Sequence, residues 1–316
     1  MQAGRTGMGN KKTHVGPVLV TGGSGFIGAH LVSAFAGGFE TYYTFLSRPV
    51  RDLAGAEGVQ ADVVDGPAIA KLIDAIHPRV ILHAAALPDF NRCASNPNEA
   101  RKVNVEGSEN VAQGAARVSA RLVLLSTDLV FPGTSSFYTE YDTPVPCCAY
   151  GTTKLAAERT ASRACENLLI ARLSLTYGRN LTGSKSHVEG VAERLREGQQ
   201  VLLFDDEYRT PIYVGDVAKV LLELAFRDDA RGVLHLGGPQ RVSRYELGTV
   251  IARLLSSPED LVVPTSSDNG GFLEPRPKDC SLQSVRLSAW WRAPMVSPVV
   301  GLSAMFALPG RTKPSC

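Results

Sequence analysis

Long apolar runs are absent from this 316-residue chain. The longest, such as Val80–Ala86 and Leu122–Leu125, have the length of buried strands and fall short of the roughly 18–20 residues of a membrane span. An excess of one charge is absent too. Lys and Arg number 33 against 31 Asp and Glu, and the basic residues are scattered, so there is no electrostatic footprint for nucleic acid. Cysteine is sparse. Cys93, Cys147, Cys148, Cys165, Cys280 and Cys316 show no paired metal-ligand spacing and are too few for a disulfide scaffold. That predicts free thiols in a reducing, cytoplasmic setting. Glu140, Asp142 and Glu158 likewise have no spacing that marks them as metal ligands, so no metal site is assigned. Residues 1–15, MQAGRTGMGNKKTHV, lack the apolar centre of a secretory signal and read as a disordered tail. Within them, Met8-Gly9-Asn10-Lys11-Lys12-Thr13 would fit N-myristoylation only if translation began at Met8. Internal repeats and low-complexity tracts are missing.

What is present is 44% hydrophobic residues and 20% charged, ordinary for one large domain or two fused units. Short β-branched runs alternate with amphipathic stretches. Strands are expected at Pro17–Thr21, Glu40–Leu46, Gly58–Ala61, Arg79–His83, Arg121–Ser126 and Leu168–Leu173. Helices are expected at Phe26–Ala36, Pro67–Ile76, Asn98–Val118 and Tyr150–Ala164. This alternation predicts an α/β fold with a doubly wound parallel sheet. Beyond Thr176 the pattern loosens, with helices expected at Val188–Glu197, Val214–Phe226, Arg244–Leu255 and about Ser281–Trp291. A short strand at Val233–Leu236 is expected to return to the first sheet. The division expected is a dinucleotide-binding Rossmann domain at 16–175, a smaller C-terminal substrate lobe at 176–292, and a loosely packed tail at 293–316.

The first strand runs into Thr21-Gly22-Gly23-Ser24-Gly25-Phe26-Ile27-Gly28 and then a helix. Glycines spaced three apart at a strand-to-helix turn let backbone approach a pyrophosphate, and the helix N-terminus adds free N–H groups and a positive dipole. At the end of the second strand, an Asp or Glu would take the ribose 2′-hydroxyl of NAD. The chain has Ser47-Arg48 instead, with Arg51 in reserve, which favours the 2′-phosphate of NADP(H) over NAD(H). Asp62, followed by Val63, stands where it meets the adenine edge or caps a turn.

Tyr150 and Lys154 lie four apart in Tyr150-Gly151-Thr152-Thr153-Lys154 and share a helix face. A nearby ammonium is expected to draw the phenol pKa down, which suits proton transfer to a carbonyl oxygen as hydride reaches its carbon. Ser126-Thr127-Asp128 follows a buried strand, where loops line the ligand crevice of a doubly wound sheet. Thr127 is a donor to a substrate oxygen in this reading. Asp128 assists proton delivery or caps the turn. Cys147-Cys148, just before Tyr150, read either as a redox-sensitive pair or as two small apolar fillers.

The glycine loop, His83-Ala84-Ala85-Ala86, Asn104 within VNVEG, Ser126-Thr127-Asp128 and YGTTK together resemble an extended short-chain dehydrogenase/reductase. The string from Ser126 to Thr134, and Arg276-Pro277 followed by Ser281-Leu282, resemble its dTDP-4-dehydrorhamnose reductase branch. That branch also contains the regulatory β subunit of methionine adenosyltransferase, and the loop Pro88-Asp89-Phe90-Asn91-Arg92 is somewhat similar to that subunit. The likeness spans roughly 17–290. It implies Tyr150 as proton donor, Lys154 as its pKa partner and ribose ligand, Thr127 as substrate-oxygen donor and Asp128 as the acid beside it. It implies that His83, Ala84, Ala85 and Asn104 join the cofactor set, with Asn104 steadying the active-site helix. Arg172, Tyr177 and Gly178 match the passage into the substrate lobe. In Arg209-Thr210-Pro211-Ile212-Tyr213-Val214-Gly215-Asp216-Val217, Arg209 is expected near a diphosphate, whose oxygens suit a guanidinium fork.

Two departures sharpen this. Leu129 stands where related dehydratases carry a Glu, and Ser47-Arg48 differs from the acid of NAD-retaining epimerases. The implied activity is an NADPH-dependent reductase of a nucleotide-linked 4-keto-6-deoxysugar. The alternatives are a methionine adenosyltransferase regulatory subunit and a sugar-nucleotide epimerase. The partners implied are a nucleotide-sugar substrate and, for the assembly, a homodimer or a methionine adenosyltransferase catalytic subunit.

Overall fold

The computed structural model describes residues 16–50, 53 and 55–307. The expectations for residues 1–15, Arg51 and Cys316 lie outside them.

Strands β1 (Val18–Thr21), β2 (Thr41–Phe45), β3 (Ala56–Gln60), β4 (Val80–His83), β5 (Arg121–Thr127) and β6 (Leu168–Leu173) are joined by a strand at Gly232–Leu236. Together they form one seven-stranded sheet in which Gly232–Leu236 and β6 stand at one side, then β5, β4, β1, β2 and β3. Every pairing is parallel. Alternation along β1 sends Val18 and Val20 to one face and Leu19 to the other. On the first face they pack with Leu31 and Phe35 of helix α1 (Phe26–Ala36). On the second they meet Ile69 and Ile73 of α2 (Gly66–Ile76), and residues of a later helix. Both faces are therefore covered, which is why β4, β5 and β6 are buried throughout.

The stretch expected as one helix over Asn98–Val118 is helical as far as Arg117 and carries a π turn within it. After α3 (Phe90–Ser95) come α4 (Pro97–Arg101), a π turn at Lys102–Glu106 and α5 (Gly107–Arg117). Asn104 lies inside the π turn, fully buried, and its amide bonds both backbone groups of Leu87. Next come α6 (Ala149–Ala164), α7 (His187–Arg196), α8 (Val214–Leu224) and α9 (Arg244–Leu254).

Two further expectations are corrected. Ser281–Trp291 is not a helix beyond a 3₁₀ turn at Leu287–Ala289. Its backbone is drawn to distant partners: Gln283 N–H donates to Tyr138 O, Leu282 N–H to Thr210 Oγ1, and Ser281 O accepts from Tyr138 N–H. Past 293, the chain forms α10 (Pro298–Ala307), which buries Leu302 and Met305 against Val188, Leu195, Leu247 and Ile251. Proline suits a first helical position because its missing N–H has no intrahelical partner there. Among the described residues no helix is long and apolar enough to cross a membrane.

Candidate active site

Strand β1 ends at Thr21 and the chain turns at Gly22, whose φ is +68°. A Cβ there would fall 2.6 Å from the backbone of Ala85. A Cβ on Gly28 would fall 2.1 Å from Gly22 O, so that glycine lets α1 pack onto the turn. Gly22 N–H donates to Thr44 Oγ1 of β2 at 3.0 Å, which fixes the turn from behind. Helix α1 begins with no side-chain cap and no acidic residue in its first turn. Its free N–H groups and positive dipole end face a cavity of about 410 Å³, with Gly25, Phe26, Ile27 and Gly28 on the wall.

The opposite wall comes from the carboxyl ends of β5 and β6 and from α6: Thr127, Asp128, Tyr150, Lys154 and Ser174 line the cavity. Thr127 Oγ1 donates to Asp128 Oδ1 at 3.1 Å and accepts from Leu129 N–H at 3.2 Å. Asp128 also accepts from Ser174 Oγ at 3.2 Å and faces Arg209 Nε at 3.4 Å. Burial nevertheless raises the Asp128 pKa, against the pull of Arg209.

The electrostatic expectation for Tyr150 is corrected. Burial first, and Asp128 second, hold the Tyr150 phenol above its usual value. Lys154 is 3% exposed, and burial pushes its ammonium down to about 8, with Glu158 opposing. Among the described residues, Lys154 Nζ has no hydrogen-bond or ion-pair partner. In this cavity the phenol is a held proton, and the lone ammonium is a donor awaiting an acceptor. A glycine turn that a Cβ would block, an uncapped helix start and a buried unpaired ammonium on one cavity fit a dinucleotide with its pyrophosphate and ribose hydroxyls.

Most other residues singled out from the sequence lie off the wall. His83 is 1% exposed; its Nδ1 pairs with Thr21 Oγ1 at 2.6 Å and its Nε2 with Ser108 Oγ at 2.9 Å. Burial and Lys154 push its pKa down to about 3. Asn104 Nδ2 donates to Thr153 Oγ1 on α6. Ala84 lines the cavity while Gly22, Ser24 and Ala85 lie behind it. Val63 is buried, Asp62 Oδ1 accepts from Val64 N–H as a turn cap, and Ser47 and Arg48 are exposed at the end of β2. Arg172 forms a buried ion pair with Glu158 at 2.7 Å, and Tyr177 belongs to the core around α7 and α9. Glu140 accepts from His235 N–H, Ser284 Oγ and Val285 N–H, while Asp142 caps Thr139. Burial raises the thiol pKa of both Cys147 and Cys148, the latter to about 11, which leaves them poor nucleophiles at neutral pH.

Glu207 and Arg244 are absent from the site residues of the sequence reading, as is the cluster they form with Arg209 and Arg276. Glu207 has no solvent exposure, and Arg209, Arg244 and Arg276 all pair with it, at 3.3, 3.0 and 2.7 Å. Burial opposes its charge, but Arg244, Arg209 and Arg276 outweigh that and hold its carboxyl far below the usual range. All three arginines line the cavity. Arg209, expected at a diphosphate, has its fork committed: Nη1 donates to Tyr208 O, Nη2 to Pro277 O, and Nε faces Asp128. Arg244 and Arg276 each give Nε and Nη2 to Glu207 and keep Nη1 without a protein partner among the described residues. They are therefore the better anion ligands. No local signal links residues 37 and 69 positions from Glu207.

The family described as the RmlD substrate binding domain matches residues 16–298. The methionine adenosyltransferase 2 subunit beta of Xenopus tropicalis is 33% identical over 229 residues, 70% of this chain and 68% of that protein. The dTDP-4-dehydrorhamnose reductase of Mycobacterium tuberculosis is 30% identical over 288 residues, 89% of this chain and 88% of that one. In three dimensions the chain resembles the dTDP-4-dehydrorhamnose reductase of Bacillus anthracis, solved in complex with NADP. The TM-score is 0.80 at 24% identity, over 92% of this chain and 98% of that one.

Proposed function

The chain belongs to the RmlD substrate binding domain family, oxidoreductases of the extended short-chain dehydrogenase/reductase type, and from that premise we propose that it is an NADPH-dependent reductase of a nucleotide-linked 4-keto-6-deoxysugar. The observation that carries the reading is one cavity bounded by a glycine turn, a Thr127–Asp128–Tyr150–Lys154 wall and an arginine wall. Residues 16–175 hold the cofactor and 176–292 form the substrate lobe in this reading.

The nicotinamide, when bound, supplies the hydride. The chain's residues do the rest. The Gly22–Gly28 turn and the start of α1 receive the pyrophosphate, and Lys154 takes the ribose hydroxyls. Arg48 meets the 2′-phosphate that distinguishes NADPH. The Tyr150 hydroxyl meets the keto oxygen, and Thr127 joins it when its one proton turns from Asp128 Oδ1 to that oxygen. Because the phenol is protonated at neutral pH, Tyr150 gives up its proton as negative charge develops on that oxygen, and the Lys154 ammonium then stabilises the phenolate. Asp128, held by Ser174 and Arg209, accepts the Thr127 proton until substrate arrives. Arg244 and Arg276 take the substrate diphosphate. The test is oxidation of NADPH by dTDP-4-keto-6-deoxysugar with the purified chain. No turnover above background would overturn the assignment.

The identity to a methionine adenosyltransferase 2 subunit beta supports a second reading, a regulatory subunit that keeps the cofactor fold. A pull-down with the methionine adenosyltransferase catalytic subunit in the same preparation separates the two. Tight binding without turnover favours the regulator.

A further inference from the structure

The stretch Gly270–Pro277 bridges the arginine wall and the helix that carries Tyr150. It begins at Gly270-Gly271, with Gly271 at φ +66° in open space, and ends in Pro275-Arg276-Pro277, where two prolines fix φ and remove N–H donors. A flexible start thus leads into a stiff arm. Arg276 sits on that arm. Its guanidinium pairs with Glu207 and lies 4.8 Å from the Phe90 ring centre and 4.4 Å from that of Phe272. The carbonyl of Pro277 accepts from Arg209 Nη2 at 3.2 Å, which anchors the arm beside Asp128.

Glu274 reaches the other way. Its Oε2 accepts the N–H of Ala149, the first residue of α6, at 2.7 Å and across 125 positions of sequence. Helix α6 needs this acceptor. It has no acidic residue in its first turn, and its own cap is the Cys148 thiol, 3.4 Å from Gly151 N. Sulfur is a weak acceptor, so Glu274 supplies both the oxygen and the negative charge that a helix start favours. Tyr150 is the next residue and Lys154 lies one turn on.

We propose that Glu274 is a positioning residue for the reaction. It holds the first turn of α6 so that the Tyr150 hydroxyl meets the keto oxygen. Through Pro275 it is tied to Arg276, so a diphosphate engaging the free Nη1 of Arg276 stabilises the same bridge. Substrate at the arginine wall thereby firms up the helix that donates the proton. This inference rests on the reductase reading above.

The experiment uses the full chain with Glu274→Ala, Glu274→Gln and Glu274→Asp. Turnover of NADPH with dTDP-4-keto-6-deoxysugar gives kcat and KM, and hydrogen–deuterium exchange of residues 149–152 is followed with and without dTDP as the anion probe. Glu274→Ala should lower kcat roughly ten- to a hundredfold, the scale of a misplaced catalytic group, with KM raised only by the factor to which dTDP protects those amides in the parent. Its first-turn amides should exchange about two- to thirtyfold faster, as for a lost cap. Addition of dTDP should protect those amides in the parent and not in the variant. Glu274→Asp should recover part of kcat, and Glu274→Gln, which keeps an acceptor oxygen and the side-chain volume, should lie between. Parental kcat in Glu274→Ala, or the same dTDP-induced protection in both proteins, would overturn the proposal. A parent without turnover would defeat the reductase reading, and the exchange measurement would still decide for or against Glu274.

Discussion

Asn104 Nδ2 donates to Thr153 Oγ1 at 3.0 Å, tying the π turn after α4 to the helix that carries Tyr150 and Lys154. The same amide accepts from Leu87 N–H at 2.7 Å and donates to Leu87 O at 3.2 Å. One buried side chain therefore satisfies a loop backbone on the cavity side and ties it to α6. π turns inside helices are frequent at functional sites, and here the extra residue places Asn104 inward. Asn104→Ala would strand Leu87 N–H and leave Leu87 O with only the weak Cys93 thiol donor. Unfolding in urea at pH 7 should show a loss of about 1–3 kcal/mol, the cost of a stranded buried polar group. Parental stability in the variant would contradict this role.

Tyr150→Phe removes the hydroxyl and keeps the ring. Reductase turnover should fall roughly 10²–10⁴-fold, the usual share of a general acid. NADPH binding, followed by fluorescence titration, should persist because the glycine turn and Arg48 are untouched. Turnover at the parental rate would refute the proton-donor assignment. If the chain acts instead as a regulator, its grip on the partner should be indifferent to this change.

Arg48 is the positive charge at the end of β2 among the candidates for a 2′-phosphate. Arg48→Asp should weaken NADPH about tenfold, the lower end expected for a lost charge-assisted contact because the side chain is exposed. NADH should be affected much less. Titrating both cofactors against parent and variant tests this, and tighter binding of NADH by the parent would reverse the assignment.

Lys154 links pH to stability. Its ammonium ionises near 8 in the folded protein against 10.5 for a free lysine. The unfolded chain therefore binds the proton more tightly, and stability rises with pH between those two values. Below about 8 the cost of the buried charge is felt in full. Lys154→Met should stabilise the cofactor-free protein at pH 7 by up to about 3 kcal/mol. The gap should close as pH approaches 10.5. The same variant should lose turnover and bind NADPH poorly. Denaturant unfolding at pH 7 and pH 10 measures the gap, and a variant less stable than the parent at pH 7 would count against an unpaired ammonium.

Local signals carried much of the reading. Gly28 is demanded by the approach of Gly22 O within the same turn and Gly22 by its own positive φ, and β4 and β5 are apolar because both sheet faces are covered. The YGTTK spacing survives as one face of α6. Where contacts are distant, pattern failed. Ser281–Trp291 has helical periodicity, yet its backbone groups bond Tyr138 and Thr210 instead. The π turn leaves no mark in hydropathy. Glu207 carries no mark in the sequence, because the arginines that close around it include Arg244 and Arg276 from distant segments. The Tyr150 pKa departs from the expectation because spacing reveals the proximity of a charge and does not reveal burial.

The pairing of Gly232–Leu236 with β6 has a consequence in time. Leu168–Leu173 is buried along its whole length, and the strand that covers its outer edge lies some sixty residues later. At roughly 5–20 residues per second, a ribosome leaves that edge open for about three to twelve seconds. During this interval the nascent chain offers LLIARL as an unprotected template for a neighbouring strand. Slow codons or a premature stop between 173 and 232 would lengthen that exposure or make it permanent, so the same pairing that completes the sheet sets the moment at which the growing chain ceases to be sticky.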